Sequence, residues 1–269
     1  MPRFLIAFLL AACAASPVPP APLSELSAWT NRDVAPGVVL RQRWLPSLFG
    51  APQSLTVLDV RPEAARFDVV APERRTRTSA IAIAAGALAA INGGFFAIET
   101  TGKSLGLLRL DNALVVPANA DQASVGIARD RRLHLATRPA GDWPEMFEAL
   151  GAGPMLLAGG EVVDHGERGR TRRHPRSAVG LRADGSVVLL AIDGRTGMAT
   201  GTTFEETAHV LQELGCVDAV NLDGGGSTTL WVAGLGVQNF PCDNKRYDHD
   251  GERAVANALL LLPMPVSGR

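Results

Sequence analysis

One tyrosine and nine phenylalanines in 269 residues leave little material for the aromatic platforms on which single-stranded nucleic acids stack. Positive charge is not in excess either: 26 Lys and Arg against 27 Asp and Glu give a net charge of -1, so no nucleic-acid partner is expected and any anion recognition must be local. Cysteine is scarce, three in all, and no Cys-x-x-Cys occurs, which leaves a structural zinc site of that type without ligands. Beyond the first residues no apolar run is long enough to cross a membrane. What remains is a chain 46% hydrophobic and 20% charged, able to bury a full core, with no internal repeat and no convincing linker after Pro22. One mature domain is the simplest organisation.

The N-terminus reads as a targeting segment. Arg3, the short apolar run Phe4 to Leu10 and the small residues Ala11 and Ala12 make residues 1–12 a secretory signal. Leu10-Ala11-Ala12-Cys13 resembles the lipobox of bacterial lipoproteins, with Cys13 as the lipid-bearing first residue; an ordinary signal peptide cut near Ala15 is the alternative. Both export the chain, to the periplasm or the outer cell surface, and attach it to a membrane only through the lipid. Residues 13–35, with four prolines between Ser16 and Pro22, read as an extended tether, and 36–269 as the folded domain. Export permits a disulfide between Cys216 and Cys242; a buried Cys216 with a free Cys242 is equally open, since proximity cannot be read from sequence.

The coarse pattern is mixed α and β, an α+β class with central mixed sheets flanked by helices. Val38 to Trp44, Leu55 to Val60 and Phe67 to Val70 are β-type runs broken by Pro and Gly, as are Ala113 to Val116, Ser124 to Ala128 and Leu133 to Ala136. Alanine-rich Thr78 to Ala90 and the stretch Trp143 to Leu150 read as helices. Ser177 to Leu181 and Val187 to Ile192, joined through Ala183-Asp184-Gly185, read as a hairpin. Thr203-Phe204-Glu205-Glu206 fits a capping box for a helix running to Leu214 and stopping at Gly215. Ala254 to Leu262, nearly all apolar, reads as a strand buried on both faces.

Polar clusters sit at the ends of these runs. Val220 to Thr229 leads an apolar strand into Asp223, three glycines (Gly224, Gly225, Gly226) and the hydroxyls of Ser227, Thr228 and Thr229. Strand alternation puts Asn221 and Asp223 on one face with Val220 and Leu222 in the core, and bare glycine N–H groups can approach an anion; a tight Asp-Gly hairpin turn is the bland alternative. Asn92-Gly93-Gly94-Phe95-Phe96 offers an amide and two aromatics able to wall a pocket, or a plain turn before two core rings. In Arg172-Arg173-His174-Pro175-Arg176, Pro175 holds His174 extended, and Arg176 borders a strand that would fix its guanidinium. Asp193-Gly194-Arg195 is a second carboxylate and guanidinium, or a salt bridge in a turn. Gly153-Pro154 reads as loop shaping only. The acidic loop Tyr247 to Arg253 has some calcium-loop spacing without the full pattern, and reads more simply as a solvated loop in which Arg253 pairs with an acid.

In this order the clusters resemble the phosphodiester glycosidase family, which includes N-acetylglucosamine-1-phosphodiester α-N-acetylglucosaminidases and exported bacterial proteins. The resemblance spans about Ile81 to Leu262 and is sharpest at Asn92 to Phe96 and Asn221 to Ser227; His174 departs from it, because members often carry Asn before the Pro-Arg. It implies hydrolysis of a sugar-1-phosphodiester at the anomeric C–O bond. By motif position Asp223 becomes the catalytic carboxylate and Asp193 the second. Arg176, Arg195 and the N–H groups of Gly224 to Gly226 are assigned to phosphate. Asn92, Gly93, Asn221, Ser227 and Thr228 are assigned to substrate positioning. No cofactor is required, although a divalent cation held by Asp223, Asp193 and the Asp248 to Asp250 loop would make the chain a metal-dependent phosphodiesterase cleaving P–O. A non-catalytic binder of envelope glycan or phosphopolymer is the third reading. Sugar identity, oligomeric state and retaining or inverting stereochemistry stay open.

Overall fold

The structure, a computed structural model, describes residues 28–119, 122–137 and 140–264. The signal segment, Cys13 and the stretch Ser16 to Pro22 lie outside the described residues.

Valine- and leucine-rich runs separated by short Gly- and Asp-containing turns can only fold back on themselves. A parallel pair would need a long crossover. Every strand pair among the described residues is accordingly antiparallel. The expected central mixed sheets are therefore corrected to antiparallel sheets packed on one another. Among the described residues the α-helices are three short ones, Thr78–Ala84, Gly166–Arg170 and Phe204–Glu213.

An eight-stranded sheet runs in the order Thr30–Ala35, Val38–Leu48, Ala51–Val60, Val187–Ile192, Arg176–Arg182, Cys216–Asn221, Met155–Ala158 and Glu161–Val162. Two five-stranded sheets cover one of its faces. One is built from Leu133–Ala136, Ser124–Ile127, Glu148–Gly151, Leu108–Leu110 and Ala113–Val116. The other is built from Gly236–Val237, Leu230–Val232, Ala89–Asn92, Ala258–Leu262 and Arg66–Val70. Alternation along single strands shows the layering: Leu189 and Ala191 enter the core between the sheets, while Val188, Leu190 and Ile192 meet Ala208 and Leu211 of the helix Phe204–Glu213 on the opposite face. Leu259 and Leu261 likewise face the central core, and Leu260 and Leu262 pack with Ile81 and Trp231 on the outer side. The closing strand is thus buried on both faces, as its composition requires.

The capping box is present: Thr203 Oγ1 accepts the Glu206 N–H at 3.1 Å and Glu206 Oε2 accepts the Thr203 N–H at 2.9 Å. Gly215, at φ +84°, ends that helix where expected. The hairpin over 176–192 pairs in the anticipated register. Four expectations change. The helix from Thr78 stops at Ala84, because Gly86 takes φ +65° and Ala89 and Ala90, with side chains small enough for a tightly packed sheet, become a fully buried strand. Trp143 to Leu150 is not a helix: Trp143 takes φ +56°, and Glu148–Gly151 pairs on both edges inside a sheet. The closing run divides into Ala254–Val255 and Ala258–Leu262, interrupted at Asn257. Thr30–Ala35, placed in the tether, is the edge strand of the large sheet.

Cys216 and Cys242 are both free and buried. Cys216 packs against Gly180 and Leu211 beneath the long helix, at the opposite end of its strand from Asn221, whereas Cys242 lies in the loop beside Arg195. The disulfide left open by the sequence is not formed. Alkylation of the denatured, unreduced protein is therefore expected to label both residues; protection of the pair until reductant is added would contradict the arrangement.

Candidate active site

Strand ends from the large sheet and from the sheet containing Ala89–Asn92 meet at one edge of the stack, where the loops they carry are stitched by backbone bonds. Asp223 N–H donates to Gly93 O at 3.0 Å, Gly225 N–H to Pro175 O at 2.9 Å, and Gly153 N–H to Asn221 O at 2.7 Å. At this edge opens a cavity of about 890 Å³. Arg168, Arg176, Arg195, Arg253, His165 and His174 line it, and Asp223 is its one carboxylate among the described residues. One acid among four guanidinium groups makes the cavity a site for an anion with a single basic or nucleophilic group inside it.

Asp223 is largely buried and its Oδ1 accepts the Gly224 N–H at 3.0 Å. Burial raises its pKa above the ordinary carboxylate range, opposed by the Ser227 hydroxyl, the Gly224 N–H and the charges of Arg253 and Arg195. The arginines are held by different means. Arg176 donates Nε–H to Thr202 O and Nη2–H to Arg172 O, both at 2.9 Å, and stacks 4.1 Å over the Phe204 ring. Burial, then the nearby Arg195, lowers its pKa to about 10, so it stays charged at neutral pH. Arg195 sits at φ +62° and reaches His174 Nδ1 with Nη2 at 3.2 Å. Burial and the surrounding Arg195, Arg176 and Arg172 lower the His174 pKa, which keeps the imidazole neutral and able to accept that bond. Arg253 pairs with Asp243 through two bonds of 2.8 and 2.7 Å, an acid partner as expected, and also faces the cavity.

The glycines act by making room. Gly225, at φ +63°, has the Arg195 guanidinium 3.0 Å from where a Cβ would lie, and a Cβ on Gly226 would strike the Asp243–Arg253 pair. Their N–H groups are less available than anticipated, since those of Gly224 and Gly225 already serve Asp223 and Pro175.

Asp223, Arg176, Arg195, Asn221 and Gly224 to Gly226 thus come together, whereas Asp193, Asn92, Gly93, Ser227 and Thr228 do not line the cavity. Asp193 is 1% exposed and points away from the cavity: Oδ2 accepts Ser54 Oγ–H at 2.6 Å, and Oδ1 accepts Asn239 Nδ2–H at 3.1 Å and Phe240 N–H at 2.7 Å. Desolvation raises its pKa to about 6. It holds the loop after Gln238 and does not line the cavity. Asn92 is fully buried, with Oδ1 accepting Ser177 Oγ–H at 2.6 Å and Thr229 N–H at 3.1 Å, and Nδ2 donating to Asp223 O at 2.7 Å. Gly93 bonds Asn257 O, and its missing side chain leaves space for Asn257. Thr228 is 1% exposed and lies behind the loop. These residues shape the site without facing it.

His165, Arg168, Phe204, Gln122 and the Gly153-Pro154 segment line the cavity without having been singled out for it. Gly153-Pro154 does more than shape a loop, because Asn221 Nδ2 donates to Gly153 O at 3.0 Å and Asn221 N–H to Pro154 O at 2.9 Å. A capping-box neighbour gave a signal for the helix start at Phe204 but none for its ring being a lid on Arg176. Phe95 walls the cavity as anticipated, whereas Phe96 belongs to the outer core.

Asp193→Ala is expected to cost on the order of 3 kcal/mol in chemical denaturation, since it strands three buried donors. Asp193→Asn keeps an acceptor. Because the folded pKa is raised, the wild type loses stability as pH rises from the ordinary carboxylate range through about 6, and the Asn variant should lose less over that window. Equal stability of the Ala variant and wild type would remove Asp193 from its structural role.

The profile of the phosphodiester glycosidase family matches residues 85–262. Over 194 residues, 65% of this chain, the sequence is 32% identical to the N-acetylglucosamine-1-phosphodiester alpha-N-acetylglucosaminidase of Bos taurus; over 90 residues, 33% of the chain, it is 37% identical to the SPbeta prophage-derived uncharacterized protein YomE of Bacillus subtilis (strain 168). The matched regions span 36% and 13% of those two proteins. The catalytic domain of the zebrafish N-acetylglucosamine-1-phosphodiester alpha-N-acetylglucosaminidase, auto-inhibited by its pro-peptide, shares the fold with a TM-score of 0.70 and 20% identity, over 91% of this chain and 86% of that one. By the extent of the profile match, this chain belongs to the phosphodiester glycosidase family.

Proposed function

We propose that the chain hydrolyses a sugar-1-phosphodiester at the anomeric C–O bond, releasing the sugar and a phosphomonoester. The observation that supports this most is the pairing of one buried carboxylate, Asp223, with a cluster of arginines in the same cavity. C–O cleavage turns the phosphodiester monoanion into a phosphomonoester dianion, so a second negative charge develops on the departing oxygen. Stabilising that charge with fixed guanidinium groups then does the work that a carboxylic acid does for an alcohol leaving group. Arg176 and Arg195 hold the phosphate, with Arg253 at the rim. Asp223 faces the anomeric carbon and either activates a water or attacks directly, in both cases stabilising the oxocarbenium-like transition state. With Asp193 turned to the interior, the two-carboxylate arrangement is reduced to one carboxylate plus cations.

The same donor geometry speaks to the metal-dependent alternative. Asp193 is enclosed by Ser54, Asn239 and Phe240, and Asp248 accepts from Asn244 Nδ2–H at 2.7 Å and Asp250 N–H at 3.0 Å, so the carboxylates that reading needs do not converge. The glycan acted on is an envelope or exopolysaccharide phosphodiester, reached through export by the N-terminal segment; among the described residues no helix is long and apolar enough to cross a membrane.

Asp223→Asn is expected to lower kcat by about 10²–10⁴ while leaving the thermal transition in place. Activity should rise as pH passes a midpoint above the ordinary carboxylate range, where the raised Asp223 ionises, with no matching loss on the alkaline side from Arg176, because a guanidinium keeps its proton. Turnover by the Asn variant near the wild-type rate would sink the assignment, as would release of sugar-1-phosphate in place of free sugar.

A further inference from the structure

Five arginines fall between residues 168 and 176, and they serve two purposes. Arg170 is paired with Asp164 at 2.9 Å and with Glu205 at 2.7 Å, and Arg173 is paired with Glu206. Through Glu205 and Glu206 these two fasten the segment to the helix Phe204–Glu213. Arg168, Arg172 and Arg176 have no carboxylate within salt-bridge distance among the described residues. They line a second pocket, of about 460 Å³, with Glu167 as its one carboxylate among the described residues. Arg168, His174, Arg176 and Phe204 line both this pocket and the Asp223 cavity, so the two adjoin. Arg172 is an exposed residue that meets Arg176 through its carbonyl, which leaves its guanidinium for a ligand.

The cations are laid out in order. Asp223 is influenced by Arg253 and Arg195, Arg176 by Arg195, and His174 by Arg195, Arg176 and Arg172. Arg172 therefore lies beyond Arg176 as seen from Asp223, in a pocket that neither Asp223 nor Arg195 lines. A sugar-1-phosphodiester with its anomeric carbon at Asp223 and its phosphate between Arg195 and Arg176 directs its leaving group past Arg176 into this pocket. That phosphate is a monoanion already met by two guanidinium groups, so Arg168 and Arg172 exceed what it requires. We propose that the second pocket binds another phosphate, carried by the leaving group, and that the substrate is accordingly an oligomer or polymer whose units are joined by phosphodiesters. Arg172 and Arg168 hold the additional phosphate and set the preference for a polyanionic leaving group. This deepens the hydrolytic reading and rests on it for the direction of the substrate.

The test titrates glycerol phosphate oligomers carrying one, two and three phosphates into the intact protein by calorimetry at fixed ionic strength. The wild type should bind the two- and three-phosphate probes about tenfold more tightly than the one-phosphate probe. In Arg172→Gln that ratio should fall about fivefold; the carbonyl bond to Arg176 belongs to the backbone and survives the change. Arg74→Gln removes an exposed arginine that lines neither pocket and should keep the wild-type ratio. Equal affinity for the three probes, an unchanged ratio in Arg172→Gln, or an equal fall in Arg74→Gln, which would mark bulk attraction, would overturn the pocket. A second equivalent of inorganic phosphate bound as tightly as the linked one would assign the pocket to the free ion and overturn the polymer. Failure of the hydrolytic reading is distinguishable, because it shows as absent turnover and no binding arm depends on turnover.

Discussion

The side chain of Asn92 carries the arrangement of the site. Its amide receives Ser177 Oγ–H and Thr229 N–H and donates to Asp223 O, so a single buried group ties the start of one strand, the glycine loop after another and the end of its own. All hydrogen bonds of this group are made in the interior, where an unmet partner is expensive, so the three segments have little freedom to move independently. Asp223 is placed by its backbone through this amide and through Gly93 O, and its side chain lines the cavity, with no ion pair within salt-bridge distance among the described residues.

Charge follows from that placement. The net charge of -1 is compatible with a strongly cationic pocket, because the arginines are gathered at one edge and each is oriented by a different device. Arg176 has its ring stack and two carbonyls, Arg195 a neutral histidine, and Arg253 a carboxylate. Guanidinium groups fixed before a ligand arrives lose little on binding it, which favours stabilisation of charge that develops on a departing phosphate. Burial raises the pKa of Asp223, while the guanidinium of Arg176 keeps its charge.

Much of this was legible in the sequence, and the failures have physical causes. Hairpin alternation from 177 to 192, the capping box at Thr203 and the double burial of Ala258–Leu262 depend on local pattern and pairing, and the sequence pattern matches them, whereas the break at Asn257 left no such mark. Ala89 and Ala90 read as helix because alanine favours it, and sheet packing overrode that propensity. Asp223, Arg176 and Arg195 were legible because chemistry clustered at strand ends. The placement of Asp193 was not legible, because a carboxylate beside Gly-Arg looks the same whether it faces a cavity or donors from Ser54, Asn239 and Phe240. His165, Arg168 and Gln122 reach the cavity from loops far away in the chain, with no periodicity or motif to mark them.

Everything in the account turns on which bond breaks. Hydrolysis of an α-linked N-acetylglucosamine-1-phosphodiester in ¹⁸O-water, followed by mass spectrometry of both products, reads this directly. Attack at the anomeric carbon, driven by Asp223 with phosphate as the leaving group, predicts label in the free sugar and none in the phosphomonoester. Label in the phosphate would mean attack at phosphorus and would contradict the account.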